Sequence, residues 1–371
     1  MLTALTNATI YTGTEMIAGK TLLIENDIIQ TLTENILVPA GAKTIDCSGL
    51  SVAPGLVDLQ IAGGGGYLFS DHLSAEALES MTESIIKSGT TGFLIALPSN
   101  SQEVYIRAIR VVKKNPHPAV LGLHLEGPYI SPVRPGAHTS QFIRQPEADE
   151  LRRLMAEAEG VIRMITLAPE VCTTEIVKLI NDHGIVVAAG HSNATFEEAL
   201  GGFNSGVRTI THLFNAMSPM HHRDPGLPGA AFMSDSVYAS IIADGIHVNY
   251  NMLAISKKIM RERLFLVSDA VEESKKGAYP HIRQKDRFTL PDGTLSGSSL
   301  TMMEAVRNCV YHAGIPLDEA LRMASLYPLK LMNITDKGKI SEGYKADLVI
   351  FDKDYNVINT CLNGSFHYLP S

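Results

Sequence analysis

Apolar and polar positions alternate along most of this chain in two registers. Short, β-rich apolar runs begin near Leu56, Thr91, Val120, Val161, Ile185, Val207, Val237 and Leu264, and helix-patterned stretches such as Ala75 to Ser88 and Glu147 to Ala158 separate several of them. Strand and helix in regular alternation make a parallel sheet with crossover helices. About eight such repeats predict an α/β fold closed as a (β/α)8 TIM-like barrel. The two ends read differently. Thr21-Leu22-Leu23-Ile24, a turn at Glu25-Asn26-Asp27, and Ile28 to Leu32 form a strand–turn–strand unit, and Gly343 to Asp352 with Asn356 to Thr360 has the same β character. Each piece is too small to stand alone. They are expected to pair as a small β-sandwich from residues 1–52 and 339–371, with the catalytic barrel at 53–338.

Three of the apolar runs end in metal-binding side chains. Glu126 follows Val120-Leu121-Gly122-Leu123, His191 follows Ile185 to Ala189, and His212 follows Val207 to Ile210. In a parallel barrel all three would stand at the carboxyl ends of strands, where such folds place their chemistry, and a carboxylate with two imidazoles suits a single divalent ion. Other polar residues close other runs: Gln60 after Leu56 to Leu59, Asp244 and His247 after Val237 to Ala243, and Asp269 after Leu264 to Ser268. This set suggests hydrolysis by a metal-activated water with a carboxylate moving the proton. Asp269 suits that role, although spacing alone also allows a helix cap or turn aspartate. His138, in Pro135-Gly136-Ala137-His138, could donate to a carbonyl oxygen in the transition state. Its spacing fits an exposed loop histidine equally well.

Composition narrows the partners. A net charge of −8 without a basic run argues against nucleic acid or an anionic membrane surface, so an anionic substrate would need locally placed cations. Cys47, Cys172, Cys309 and Cys361 show no CxxC or disulfide-dense spacing and read as reduced thiols. The first residues lack a signal-peptide pattern and no apolar stretch reaches membrane-spanning length, so a cytoplasmic location is expected. Gly63-Gly64-Gly65-Gly66 lacks a nucleotide fingerprint and reads as a turn over the barrel mouth. Met302 and Met303 read as packing residues, and His221-His222 as an exposed loop pair.

The motifs Leu123 to Pro128, Gly136-Ala137-His138, Gly190-His191-Ser192, Thr211 to Met217, Asp244-Gly245-Ile246-His247 and Leu295 to Ser299 occur in one order. Together they resemble the N-acetylglucosamine-6-phosphate deacetylase family of the amidohydrolase superfamily. The likeness spans essentially the whole chain, including Val52 to Asp58 and Gly343 to Leu348. It implies removal of the acetyl group from an N-acetylated amino sugar 6-phosphate. It implies one divalent metal per subunit, with zinc first and iron, manganese or cobalt as alternatives, held by Glu126, His191 and His212. Asp269 would be general base and then acid, and His138 would polarise the acetyl carbonyl. Gln60, Ala137, His138, Asn215, Ala216, Leu295, Ser296 and Gly297 would meet the sugar, while Arg223 and His247 would meet the phosphate. A homodimer in which a phosphate-contacting group crosses from the neighbouring subunit is also implied.

Two stretches depart from the wider pattern. Many amidohydrolases carry His-x-His after strand one and bind a second metal there, whereas this chain has Gln60-Ile61-Ala62, which disfavours a binuclear site. Ala62 and the charged segment Val271 to Gly277 also differ from the deacetylase pattern and bear on substrate selectivity and lid behaviour. Ser296 to Ser299 before Leu300 to Val306 could present helix N-terminal amides to a ligand, or could simply cap that helix. Competing readings are a galactosamine-epimer deacetylase, a dihydroorotase-like or deaminase-like enzyme, and a non-catalytic sugar-phosphate binding protein. Asp269 beside the three ligands speaks against mere binding, which needs no general base.

Overall fold

The computed structural model describes residues 1–34, 38–275 and 277–367. The eight barrel strands are Leu56–Ile61, Thr90–Pro98, Val120–Glu126, Ile162–Leu167, Val186–Ala189, Thr209–Ile210, Tyr238–Ile241 and Leu264–Leu266, called strands one to eight below. Each pairs in parallel with the next, in unbroken sequence order. The circle closes at its carboxyl end. There the Asp269 N–H donates to Gln60 O at 2.9 Å, the Ala62 N–H donates to Ala270 O at 2.8 Å, and Ile61 bridges Ala270 in parallel. Strand one is buried along its whole length, and the other strands contribute Phe93, Leu123, Ile165, Val187, Ile210, Ala239 and Phe265 to the same core. Burial on both faces explains why these strands read as continuous apolar runs.

Helices follow from period and caps. The helix Ala75–Lys87 buries Ala77, Leu78, Met81, Thr82, Ile85 and Ile86, one stripe at 3.6 spacing, and the Ser74 side chain accepts from the Ala77 N–H at its start. The second expected helix runs Ala148–Ala158, with Glu147 as its N-cap residue. Helix Met302–Ala313 begins at a capping box in which Thr301 and Glu304 satisfy each other's backbone N–H groups. Met302 and Met303 are buried in the barrel's core.

The chain ends form two small sheets. In one, the Leu2–Thr6 strand lies between Lys20–Glu25 and Lys43–Asp46, with Ile28–Glu34 outside, and Asn26 turns the hairpin in the left-handed region at φ 55°. The other joins the two ends of the chain: Ser51–Pro54 pairs with Thr9–Tyr11 on one side and antiparallel with Leu348–Phe351 on the other. Leu5, Ile10, Leu22, Ile29, Val52, Leu348 and Ile350 share one apolar cluster between the sheets. The strand Ser51–Pro54 crosses residue 52, so the small domain and the barrel meet within a strand.

Between strand eight and helix Met302–Ala313 lies an unexpected insertion: a three-stranded antiparallel sheet of Ile282–Arg283, Phe288–Thr289 and Leu295–Gly297. It packs through its own apolar cluster of Leu68, Val271, Tyr279 and Phe288, which Ala62 also joins. The four glycines form a hairpin. Gly63–Gly64 pairs with Tyr67–Leu68 across Gly65 and Gly66, at φ 60° and 87°, the two positive angles that a tight hairpin turn requires. The charged stretch is tied to this hairpin, because Glu272 accepts from the Gly66 N–H at 3.1 Å and Ser274 Oγ donates to Asp71 at 2.5 Å.

Candidate metal centre and active site

The three expected ligands converge. Glu126 Oε1 lies 3.2 Å from His191 Nε2 and 3.0 Å from His212 Nε2, and the two ring nitrogens are 3.1 Å apart. All three residues are buried. Two imidazole nitrogens and a carboxylate oxygen pointed at one another could share a cation among them. The separations approach the roughly 3.4 Å edge of a tetrahedral site with ligands at about 2.1 Å, so the donor set fits a small divalent ion. This is the only cluster of its kind among the described residues, and Gln60-Ile61-Ala62 adds no ligand to it. His191 Nδ1 lies 3.3 Å from Arg134 O, a contact that directs Nε2 toward the centre. Both histidines occupy left-handed backbone, at φ 46° and 35°, where each strand turns abruptly into its loop.

Electrostatics follow from burial and proximity. Burial and the neighbouring His138 pull the His191 imidazole down to about 4. Burial acts the same way on His212, but the hydrogen bond and charge of Glu126, with Asp269, outweigh it and raise that group. Glu126 would be raised by burial, yet the three imidazoles around it hold it well below the usual carboxylate range.

Asp269 follows strand eight at φ 52°. Burial, then the charge of Glu126, push its carboxyl up to about 7 against the pull of His212. A carboxyl poised near neutrality is suited to taking and returning a proton. Gln60 does not line the cavity. It is buried between the two acids, its Nε2 donating to Glu126 Oε1 at 2.8 Å and to Asp269 Oδ1 at 2.9 Å. The reverse amide orientation would aim its oxygen at both carboxylates. Below it, Asp58 accepts from the Gln60 and Ser268 N–H groups at 3.1 and 3.2 Å and from the Ser268 hydroxyl.

His138 is buried, not an exposed loop residue, because the loop after strand three folds over the barrel mouth and the Ser131 N–H donates to His191 O at 2.8 Å. The Ser99 N–H donates to His138 Nδ1 at 3.2 Å, so the ring proton sits on Nε2, which lies 3.7 Å from Glu126 Oε2. A donor is thereby aimed at the centre. Glu170 holds the loop after His191 by accepting from Ser192 Oγ at 2.7 Å and the Asn193 N–H at 2.5 Å.

These groups face a cavity of about 250 Å³. Ala137, Asn215, Ala216, His247, Leu295, Ser296 and Gly297 line it. His247 Nδ1 pairs with Asp244 Oδ2 at 2.6 Å, which holds the Asp244 carboxyl low despite its burial and leaves Nε2 for a ligand. The helix after Ser299 is capped by Thr301, and the pocket wall is strand Leu295–Gly297 instead of the helix amides. Arg223 is exposed, does not line the cavity, and follows His221 and His222, which are also exposed. Residues that the sequence motifs did not mark are Ser99, which orients His138, and Tyr279 and His281, which line the cavity from the inserted sheet.

Residues 51–366 match the amidohydrolase family model, and residues 2–52 match the NagA composite domain. The chain belongs to the amidohydrolase family. It is 37% identical, over 98% of both chains, to an N-acetylglucosamine-6-phosphate deacetylase of Haemophilus influenzae. A crystal structure of the corresponding Pasteurella multocida enzyme superposes with a TM-score of 0.96 at 35% identity, over all of both chains. An N-acetylgalactosamine-6-phosphate deacetylase of a Shewanella strain is 34% identical, over 86% of this chain and 84% of its own. Amidohydrolases are generally metal-dependent, in keeping with the Glu/His/His cluster. No helix among the described residues is long and apolar enough to cross a membrane.

Proposed function

We propose that this amidohydrolase removes the acetyl group from N-acetylglucosamine 6-phosphate, giving glucosamine 6-phosphate and acetate. The observation that carries the reading is the convergence of Glu126, His191 and His212 with Asp269 and the Nε2–H of His138 on one cavity. Relatives of that name align over nearly the full chain. Glu126, His191 and His212 would hold one divalent ion, zinc first among zinc, iron, manganese and cobalt. Such an ion lowers the pKa of water toward neutrality and polarises a carbonyl. Asp269 takes the proton from the attacking water and returns it to the departing amine. His138 donates from Nε2 to the carbonyl oxygen as it gains charge. Gln60 spans Glu126 and Asp269 and so fixes the base relative to the ligands.

The sugar would rest against Ala137, Asn215, Ala216 and Leu295 to Gly297, with its phosphate at His247. Arg223 is exposed in the single chain, and its assignment to phosphate requires a neighbouring subunit, so the reading includes a homodimer in which Arg223 serves the partner's cavity. The galactosamine epimer is a second reading, favoured by the Shewanella relative. A non-catalytic sugar-phosphate binding protein is disfavoured by Asp269, a carboxyl that Gln60 ties to the ligand Glu126 and that binding alone would not need.

Acetate release from N-acetylglucosamine 6-phosphate with added divalent metal tests the reading. Asp269→Asn should cut kcat by about 10²-fold or more while metal content and folding persist. Near-normal turnover in that variant would refute the role of Asp269, and no acetate from the wild type would refute the activity.

A further inference from the structure

The inserted sheet supplies a polar group that the proposed reaction does not use. His281 is 5% exposed and lines the active-site cavity. Its Nδ1 pairs with Ser296 Oγ at 2.9 Å, and its Nε2 has no partner among the described residues. The backbone around it is held from several directions. Ser274 N–H donates to His281 O at 3.1 Å, Thr139 Oγ1 donates to Ala278 O at 2.9 Å, and the Tyr279 hydroxyl donates to Ser99 O. Tyr279 and Phe288 anchor the segment in the apolar cluster beneath the sheet. An imidazole fixed this firmly, with one nitrogen committed and the other open to the cavity, is built to meet a ligand.

We propose that His281, braced by Ser296, hydrogen-bonds the C3–C4 hydroxyl edge of the sugar and is a specificity-determining residue for this enzyme. The inference rests on the deacetylase reading. With the acetamide of C2 at the metal ligands and the phosphate of C6 at His247, two edges of the pyranose remain, C3–C4 and C1–O5. The anomeric hydroxyl of a reducing sugar exchanges between two configurations, so only the C3–C4 edge offers a fixed partner to a fixed imidazole. Phosphate is a poor match for this ring. Burial lowers His281 to about 4 with no carboxylate contributing, so it is neutral and pairs with a hydroxyl in either direction.

A cycle of residue and substrate changes tests the assignment. Turnover of N-acetylglucosamine 6-phosphate and its 3-deoxy, 4-deoxy and 1-deoxy analogues would be measured for metal-loaded wild type, His281→Leu, His281→Gln and Ser296→Ala. His281→Leu should raise KM for the parent sugar about ten-fold or more and leave kcat within about two-fold, as expected for contacts equal in ground and transition states. It should also abolish most of the penalty that wild type shows with the 3-deoxy or 4-deoxy sugar, because the lost partner is the same in both. His281→Gln, which keeps a hydrogen-bonding group, should retain part of that penalty and guards against a folding defect in the leucine variant. Ser296→Ala should give a smaller change in the same direction. An equal proportional loss across all four substrates would overturn the proposal in favour of a purely structural ring. Coupling to the 1-deoxy sugar alone would overturn it in favour of the other edge. Absence of acetate release by wild type from any of the four would instead fell the deacetylase reading.

Discussion

Two walls of one cavity are made in different ways. The metal-side wall stands on barrel strands: Glu126, His191, His212 and Asp269 each sit at or just beyond a strand end, and ladder hydrogen bonds hold those strands in register. The facing wall, Tyr279, His281 and Leu295 to Gly297, is formed by a short inserted sheet and the segment leading into it, with a satellite core of only a few apolar side chains. On the proposed reading, chemistry that needs ligands placed to a few tenths of an ångström is on the rigid element, and recognition of the rest of the sugar would fall to the smaller one. Substitutions in the first wall should therefore act on metal content and kcat, and substitutions in the second on KM.

The largest expected effect breaks the first wall outright. His191→Ala removes one of three ligands and should lose metal and turnover by more than the roughly 10- to 100-fold typical of losing only an outer partner of a ligand. Metal analysis of the purified proteins decides it. About one ion per wild-type chain and little in the variant is the expected result, and unchanged metal content would remove His191 from the ligand set. Two tightly held ions in the wild type would contradict the single-metal reading that Gln60-Ile61-Ala62 supports.

The same division governs what could be read before the fold was known. Parallel strands buried on both faces leave continuous apolar runs, and a residue that follows such a run directly must lie near the barrel mouth, so Glu126, His191, His212 and Asp269 could be named together. The facing wall leaves weaker marks. Its strands are two or three residues long, too short for a periodic signal. Asp292-Gly293 between Phe288-Thr289 and Leu295 to Gly297 is the one hairpin signal this wall carries in sequence. Nothing near His281 in sequence marks it, because its partners Ser296 and Ser274 and the cavity it lines are brought together only by the folded insertion. His138 was ambiguous for a related reason. Its burial depends on Ser99 and His191, which lie on other strands' loops.

A smaller effect is expected at the proposed phosphate end, where the homodimer reading would extend the comparison to a second subunit. Arg223→Ala should reduce kcat/KM for the phosphorylated sugar by roughly 10- to 100-fold, the worth of a hydrogen bond to a charged group. Unphosphorylated N-acetylglucosamine should be nearly unaffected, because it never makes that contact. Equal proportional losses on the two substrates would assign Arg223 to folding or to the dimer contact, and a monomeric wild type would exclude its action in the neighbouring cavity.

The last expected effect, on stability and not on turnover, lies at the seam between the two walls, where strand one meets the chain leaving strand eight. Asp58 is fully buried there, and burial pushes its carboxyl up to about 6 even though the Ser268 side chain and the Gln60 and Ser268 N–H groups pull it down. The charged neighbour facing it is Asp269, whose carboxyl it helps to raise. A folded-state value above the ordinary 3.8 means that the native protein binds the proton more tightly than the unfolded chain. The associated stability is complete below pH 4 and is lost as pH rises through about 6. A shift of about two units bounds the effect near 3 kcal/mol, a few degrees in Tm for a chain of this size. Asp58→Asn keeps an oxygen for the two N–H groups and offers its amide hydrogens to Ser268 Oγ, much as the protonated acid would. The variant should match wild type near pH 4 and gain on it progressively up to about pH 7, as wild type alone pays for a buried charge. Thermal melts of the two proteins across that range decide the sign. A variant that falls further behind as pH rises would mean that the hydrogen bonds from Gln60 and Ser268 outweigh burial and that the seam is held by a carboxylate.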